Sequence, residues 1–232
     1  MTAPDAEPSD RLSLQAAAHL LQVSDRTLRR WAQTFSMPHG LEGDELVFSR
    51  RAILEWADGH SMRLAAEMPT QEDENRPLPT LLEAIQRGGI HRDVGGTSVD
   101  TALEQAANAM QLPAEIDRDF FHQVLLARED LDSTGMGEGI AIPHVRAPLV
   151  LHVDEAYVAL VFLENPVDWH AVDGKPVDTL FVLASPGIRS HLHLLRRIAI
   201  ACHDPALREL LLERGPNEAI EARLTAIASI TP

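Results

Sequence analysis

The sequence predicts an α/β protein: a layered C-terminal domain of helices around buried strands, preceded by a small, mostly helical N-terminal domain. Residues 156–163 (AYVALVFL) and 177–184 (VDTLFVLA) are apolar runs bounded by turns, the pattern of strands covered on both faces. They alternate with segments of helical apolar spacing, and that mixture means a sheet with helices against it. A third observation divides the chain. Residues 67–79 hold three prolines and four acids and almost nothing to bury, so 64–77 reads as a linker between domains at 10–63 and 78–230.

Each element then follows in order. Residues 14–21 carry apolar positions at helical spacing, and Val23-Ser24-Asp25 interrupts them with Ser24 placed to cap a second helix over 25–33. Turn formers fill 37–44, a short strand follows at 45–48, and Ser49 caps a helix over 50–57. Beyond the linker, helices are expected at 81–86, 99–110, 113–127, 190–202 and 206–214, with the two strands between them.

Composition excludes several classes. At 232 residues and 25.5 kDa the chain suits one large or two modest domains, and 45% hydrophobic with 24% charged residues is not disordered composition. The single cysteine rules out a disulfide framework or a cysteine-rich zinc site and fits a reducing cytosol. The acidic start and the absence of an 18-residue apolar run predict neither secretory signal nor membrane span, hence a cytoplasmic protein. A net charge of −15, shared as −5 over 1–76 and −10 over 77–232, opposes coating of nucleic acid through bulk charge. It leaves room for a local basic patch.

Such a patch lies on the second helix. Arg26, Arg29 and Arg30 share one face while Leu28 and Trp31 lie away from it. Guanidinium groups pair with guanine edges or phosphate oxygens, so this face suits a major groove. Arg26, Thr27, Arg29 and Arg30 are the candidate DNA-binding residues. The alternative is a solvated face on an ordinary helix. Among eleven histidines, His191 and His193 form an H-x-H that diverges by roughly 200° on a helix, so they share no metal. His144 differs, because Gly135-Met-Gly-Glu-Gly-Ile-Ala-Ile-Pro-His144 places it after a glycine-rich turn and a short apolar strand. Glycines allow the close backbone approach that anion sites use.

Two resemblances extend this reading. Residues 14–31, then a glycine-containing turn and Val47-Phe48-Ser49-Arg50-Arg51 through Trp56, resemble the excisionase-type, MerR-related helix-turn-helix family. That implies a DNA-reading second helix and a wing before Phe48. The wing sequence Gly40-Leu-Glu-Gly-Asp-Glu45 is acidic, which opposes phosphate contact, so tight binding calls for a homodimer.

Residues 126–144, with Pro166-Val167-Asp168, Asp173-Gly174-Lys175-Pro176-Val177 and His191-Leu192-His193-Leu194-Leu195, resemble the IIA domains of the fructose/mannitol type in the phosphoenolpyruvate-dependent phosphotransferase system, including their nitrogen-regulatory branch. The resemblance implies a mixed sheet flanked by helices. It also implies that His144 accepts a phosphoryl group from a histidine phosphocarrier protein, with Arg128 and His191 as supporting residues and no cofactor. Two positions depart from the pattern: Val145 stands where a small residue is usual, with the expectation that its β-branched side chain crowds the phosphocarrier or holds the loop differently, and Gly187-Ile-Arg-Ser190 lacks the usual acids. The expected function is a phosphorylatable IIA domain coupled to transcription through the N-terminal domain. Alternatives are a IIA component passing phosphate to a separate IIB domain or regulatory protein, and a non-catalytic interaction module.

Overall fold

The structure, a computed structural model, describes residues 10–21, 23–35, 37–59, 77–145 and 153–230, with the backbone alone at 54, 55, 57–59 and 230. Of the linker expected over 64–77 only residue 77 falls within these, and Arg146 falls outside them.

The first unit runs β1 (Arg11–Ser13), α1 (Leu14–Leu21), α2 (Asp25–Thr34), β2 (Gly40–Glu42), β3 (Glu45–Ser49) and α3 (Arg50–Gly59). Ser24 caps α2 as its sequence predicts, its Oγ accepting the Thr27 N–H at 3.0 Å. Ser49 does the same for α3 through the Ala52 N–H at 3.1 Å, and Asp10 accepts the Ser49 hydroxyl at 2.6 Å. The strands form an antiparallel sheet in the order β1-β3-β2. Gly43, at φ +62, makes the tight turn between β2 and β3. Strands β1 and β2 were not expected from sequence; three residues each is too short for an alternation to register.

The second unit is built on a five-stranded sheet in the order β4-β7-β8-β6-β5. These are β4 (Ile90–Val94), β5 (Gly135–Gly137), β6 (Ile140–Ala141), β7 (Tyr157–Val167) and β8 (Val177–Ala184). The sheet is mixed: β4–β7 and β6–β8 are parallel, β7–β8 and β5–β6 antiparallel. The two apolar runs are the adjacent strands β7 and β8. Along them alternate residues enter different cores: Ala159, Val161, Leu180 and Val182 on one face, Leu160, Phe162, Phe181 and Leu183 on the other. Helices α5 (Val99–Ala109) and α6 (Arg118–Glu129) cover the first face. Helices α4 (Leu81–Gly88), α7 (Ile188–Cys202), α8 (Pro205–Leu212) and α9 (Asn217–Ile230) cover the second. Burial on both faces is why neither strand needs a polar alternation.

The largest boundary change is at α6, and one helix is new. The helix expected from 113 begins at Arg118, because Asp117 accepts the Phe120 N–H at 2.9 Å and so caps it. Helix α9 was not expected, although Ile220, Leu224 and Ile227 stand at helical spacing and are buried.

The units touch along α6. Trp31 and Trp56 of the first unit lie 5.8 and 6.4 Å from the Phe120 ring, and Phe35 meets it edge-on at 6.3 Å. Their side chains belong to one continuous core.

Candidate active site

Strand β6 delivers His144. After it, Pro143 O accepts the Leu183 N–H at 2.9 Å, and His144 itself forms a parallel bridge to Leu183 on β8. The half-buried ring is thereby held just past the end of β6, beside β8. His144 Nδ1 lies 2.7 Å from Ile142 O. A carbonyl only accepts, so Nδ1 carries the proton and Nε2 keeps its lone pair. Burial, and then the positive charge of Arg128, pull the His144 pKa below its ordinary value against the Ile142 hydrogen bond. The ring is therefore neutral near pH 7.

The turn before β6 is braced from another element. Gly137 has φ +93 and Glu138 φ +54, and Asp173 accepts the Glu138 N–H at 2.8 Å and the Lys175 N–H at 3.1 Å. A Cβ on Gly137 meets the Asp173 carboxylate at 3.1 Å. The Asp173-Gly174-Lys175 segment thus shapes the hairpin that leads to His144, and its motif is structural.

His191 enters from the first turn of α7 and is 3% exposed. Its ring centre lies 5.4 Å from that of His144, with planes 48° apart. Ser185 Oγ lies 3.0 Å from His191 Nδ1. Burial first, and His144 second, lower its pKa to about 4. His193 points elsewhere: the Pro79 backbone is among the groups that act on it. The two residues of the H-x-H diverge, as their helical spacing dictates.

Arg128 stands in the last turn of α6, where its Nη1 donates to Asp132 O at 2.8 Å. The structure therefore brings Arg128, His144 and His191 together from three separate elements. Of the two expectations for Val145, crowding of the phosphocarrier is corrected: its side chain is 1% exposed. It fills core beneath the loop and is not presented to a docking protein. Sequence reasoning passed over Ser185 and the Glu129–Thr134 pair, in which the Thr134 N–H donates to Glu129 at 2.7 Å.

The residues proposed to read DNA separate. Arg26 and Arg29 are exposed on α2. Thr27 is corrected: it is fully buried, with its hydroxyl 2.9 Å from Ser24 Oγ, because it lies one turn before Trp31 on the inward face. Arg30 turns toward the second unit, its Nη1 3.5 Å from Asp130 Oδ2 with side chains 28% and 15% exposed. It is not part of an open face with Arg26 and Arg29.

Among the described residues no helix is long and apolar enough to cross a membrane. Residues 83–226 match the family described as "Phosphoenolpyruvate-dependent sugar phosphotransferase system, EIIA 2". A nitrogen regulatory protein of Pseudomonas aeruginosa is 42% identical over 132 residues, covering 55% of this chain and 83% of that protein. One from Escherichia coli K12 is 33% identical over 161 residues, covering 67% and 94%. The crystal structure of nitrogen regulatory protein IIA-Ntr from Neisseria meningitidis superposes with a TM-score of 0.52 at 32% identity, over 58% of this chain and 92% of that one. The mixed sheet, its flanking helices and the matched residues place this chain in the EIIA 2 family of the phosphoenolpyruvate-dependent sugar phosphotransferase system.

Proposed function

We propose that the chain accepts a phosphoryl group on Nε2 of His144 from a histidine phosphocarrier protein, and that the first unit couples this state to DNA binding. One observation carries the first part: the Nδ1–Ile142 O hydrogen bond of 2.7 Å leaves Nε2 as the unprotonated nitrogen. Its lone pair forms the new N–P bond as the donor's N–P bond breaks and that electron pair returns to the donor's ring nitrogen. The Nδ1 proton stays with Ile142 O, which stabilises the positive charge the ring gains. Such transfer has a loose transition state, so the protein's work is positioning and charge neutralisation. Arg128 supplies fixed positive charge and two parallel donors for phosphoryl oxygens. His191, kept neutral, takes the Ser185 hydroxyl on Nδ1 and offers its Nε2–H to a third oxygen. Ile188 and Leu192, exposed on α7 beside it, give the phosphocarrier apolar contact area.

The second part rests on α2, where Arg26 and Arg29 form an outward basic face on a helix that itself packs against the phosphotransfer unit. That contact favours a regulator over a component that only hands phosphate to a IIB domain. Incubation with phosphoenolpyruvate, enzyme I and the phosphocarrier, followed by intact mass, tests the phosphoryl acceptor. Wild type gains one phosphoryl group and His144→Ala none. Equal labelling of both refutes the assignment.

A further inference from the structure

Helix α6 ends at Glu129, one residue beyond Arg128, and its carboxylate turns onto the start of β5. Oε1 accepts the Thr134 N–H at 2.7 Å and Oε2 the Thr134 hydroxyl at 2.5 Å. Trp169 Nε1 donates to the same hydroxyl oxygen at 3.2 Å. An indole N–H only donates, so the Thr134 hydroxyl hydrogen goes to Glu129 and both carboxylate oxygens act as acceptors. The arrangement is built around an ionised carboxylate. Burial nevertheless pushes the Glu129 pKa above its ordinary value, against the opposing Thr134 hydrogen bonds. A buried carboxylate is costly to keep, and neither the helix end nor the strand needs one to form.

The pair closes the loop 130–133, and both halves of the site hang from that closure. Asp132 O, inside the loop, holds Arg128 Nη1 at 2.8 Å. Thr134 O, at its end, accepts the Ile142 N–H at 3.1 Å, and Ile142 O in turn holds His144 Nδ1 at 2.7 Å. One carboxylate is thus connected by short hydrogen bonds to the phosphate-facing cation on one side and to the nucleophile's ring on the other. It makes no hydrogen bond to either, and feels Arg128 through its charge alone.

We infer that Glu129 is a positioning residue for phosphoryl transfer, a staple onto Thr134 that sets Arg128 and His144 in register across the loop 130–133. This rests on the reading of His144 as phosphoryl acceptor. The staple acts on geometry at the transferring group and leaves the phosphocarrier's docking surface alone. Its loss lowers the maximal rate and not the affinity.

The test follows transfer from phosphocarrier to the full-length protein by rapid quench over a range of carrier concentrations. Glu129→Gln keeps the shape but presents a donor where an acceptor is needed, and Thr134→Val removes the hydroxyl. Each lowers the maximal rate on the order of 10-fold to 10²-fold, as misplacements of about 1 Å do, at an unchanged half-saturating concentration. Thr134→Ser keeps the hydroxyl and the wild-type rate. In an Arg128→Ala background Glu129→Gln removes less than it does alone, because the residue it aims is gone. Wild-type maximal rates in Glu129→Gln and Thr134→Val overturn the inference. So does a loss carried wholly by the half-saturating concentration, or one of equal size with and without Arg128. If circular dichroism shows Glu129→Gln unfolded, Thr134→Val against Thr134→Ser decides alone, and equal rates in that pair overturn it. A wild-type chain that accepts no phosphoryl group instead removes the His144 reading itself, recognisable because every variant then fails alike.

Discussion

Lowering the pH must destabilise this fold through His191 in a way that can be isolated and measured. The residue is 3% exposed, and burial followed by the neighbouring His144 brings its pKa from an ordinary 6.5 to about 4. In the unfolded chain the ring binds its proton near the ordinary value. Between 6.5 and about 4 the unfolded state therefore holds more protons than the folded one. Stability from this group is fully present above the unfolded value and is lost as pH falls through the window. At about 1.4 kcal/mol per factor of ten, the whole effect is roughly 3 kcal/mol. Urea unfolding of wild type and His191→Gln at about pH 7.5 and about pH 4.5 reads it, since the other titrating groups are common to both chains. Wild type loses roughly 2–3 kcal/mol more than the variant over that range. Stability curves that run parallel in pH refute the burial argument and, with it, the neutral hydrogen-bond donor assigned to the phosphoryl site.

Two expectations concern the first unit. Arg26→Ala and Arg29→Ala each weaken binding to a selected duplex by about 1–3 kcal/mol, while Arg30→Ala weakens it less because Asp130 already engages that side chain; a duplex titration that ranks Arg30 highest refutes the assignment. Phe120→Ala, which empties a site 2% exposed between Trp31 and Trp56, costs about 3–5 kcal/mol and splits into two the single tryptophan-detected thermal transition expected of the wild type. Two transitions in wild type show instead that the units melt independently.

Legibility in the sequence followed the range of the interactions. Strands β7 and β8 and the capped α2 were readable because their signals are local: unbroken apolar runs and a serine before an amphipathic turn. Strand β4 was not, since its interior reads His91-Arg92-Asp93 and its Arg92 spends its guanidinium on the carbonyls of Arg214 and Gly215. An edge strand with such side chains has no pattern of its own. Helix α9 and the burial of Thr27 were both present as helical spacing, in Ile220-Leu224-Ile227 and Thr27-Trp31, and were passed over. His144 stood out by its glycine-rich approach, whereas Arg128 came from family resemblance and His191 from that resemblance together with its place on the inward stripe of Leu195, Ile198 and Cys202. Their convergence is set by the sheet register and by the start of α7, which no local window contains. The Glu129–Thr134 staple was missed for a different reason: it is local, but a five-residue span across a turn has no periodicity.

Among the described residues the two units meet on α6 and at Asp130 just past its end, so coupling through these contacts would run along that helix. Phe120, where the aromatic side chains of the first unit dock, and Arg128, beside His144, stand eight positions apart on it (128 − 120), about 12 Å along the axis. Charge on a phosphoryl group at His144 is screened over about 8 Å at physiological salt, so it does not reach that dock through solvent. Movement of the helix end can. The polar side of the contact is already poised against itself: Arg30 has its Nε and Nη2 buried without a hydrogen-bond partner among the described residues, and its one ion pair is long at 3.5 Å. Each such buried donor costs about 1–3 kcal/mol. A partly exposed pair returns about 0–1 kcal/mol. The aromatic cluster therefore holds α2 onto α6, while the buried donors of Arg30 work against that contact.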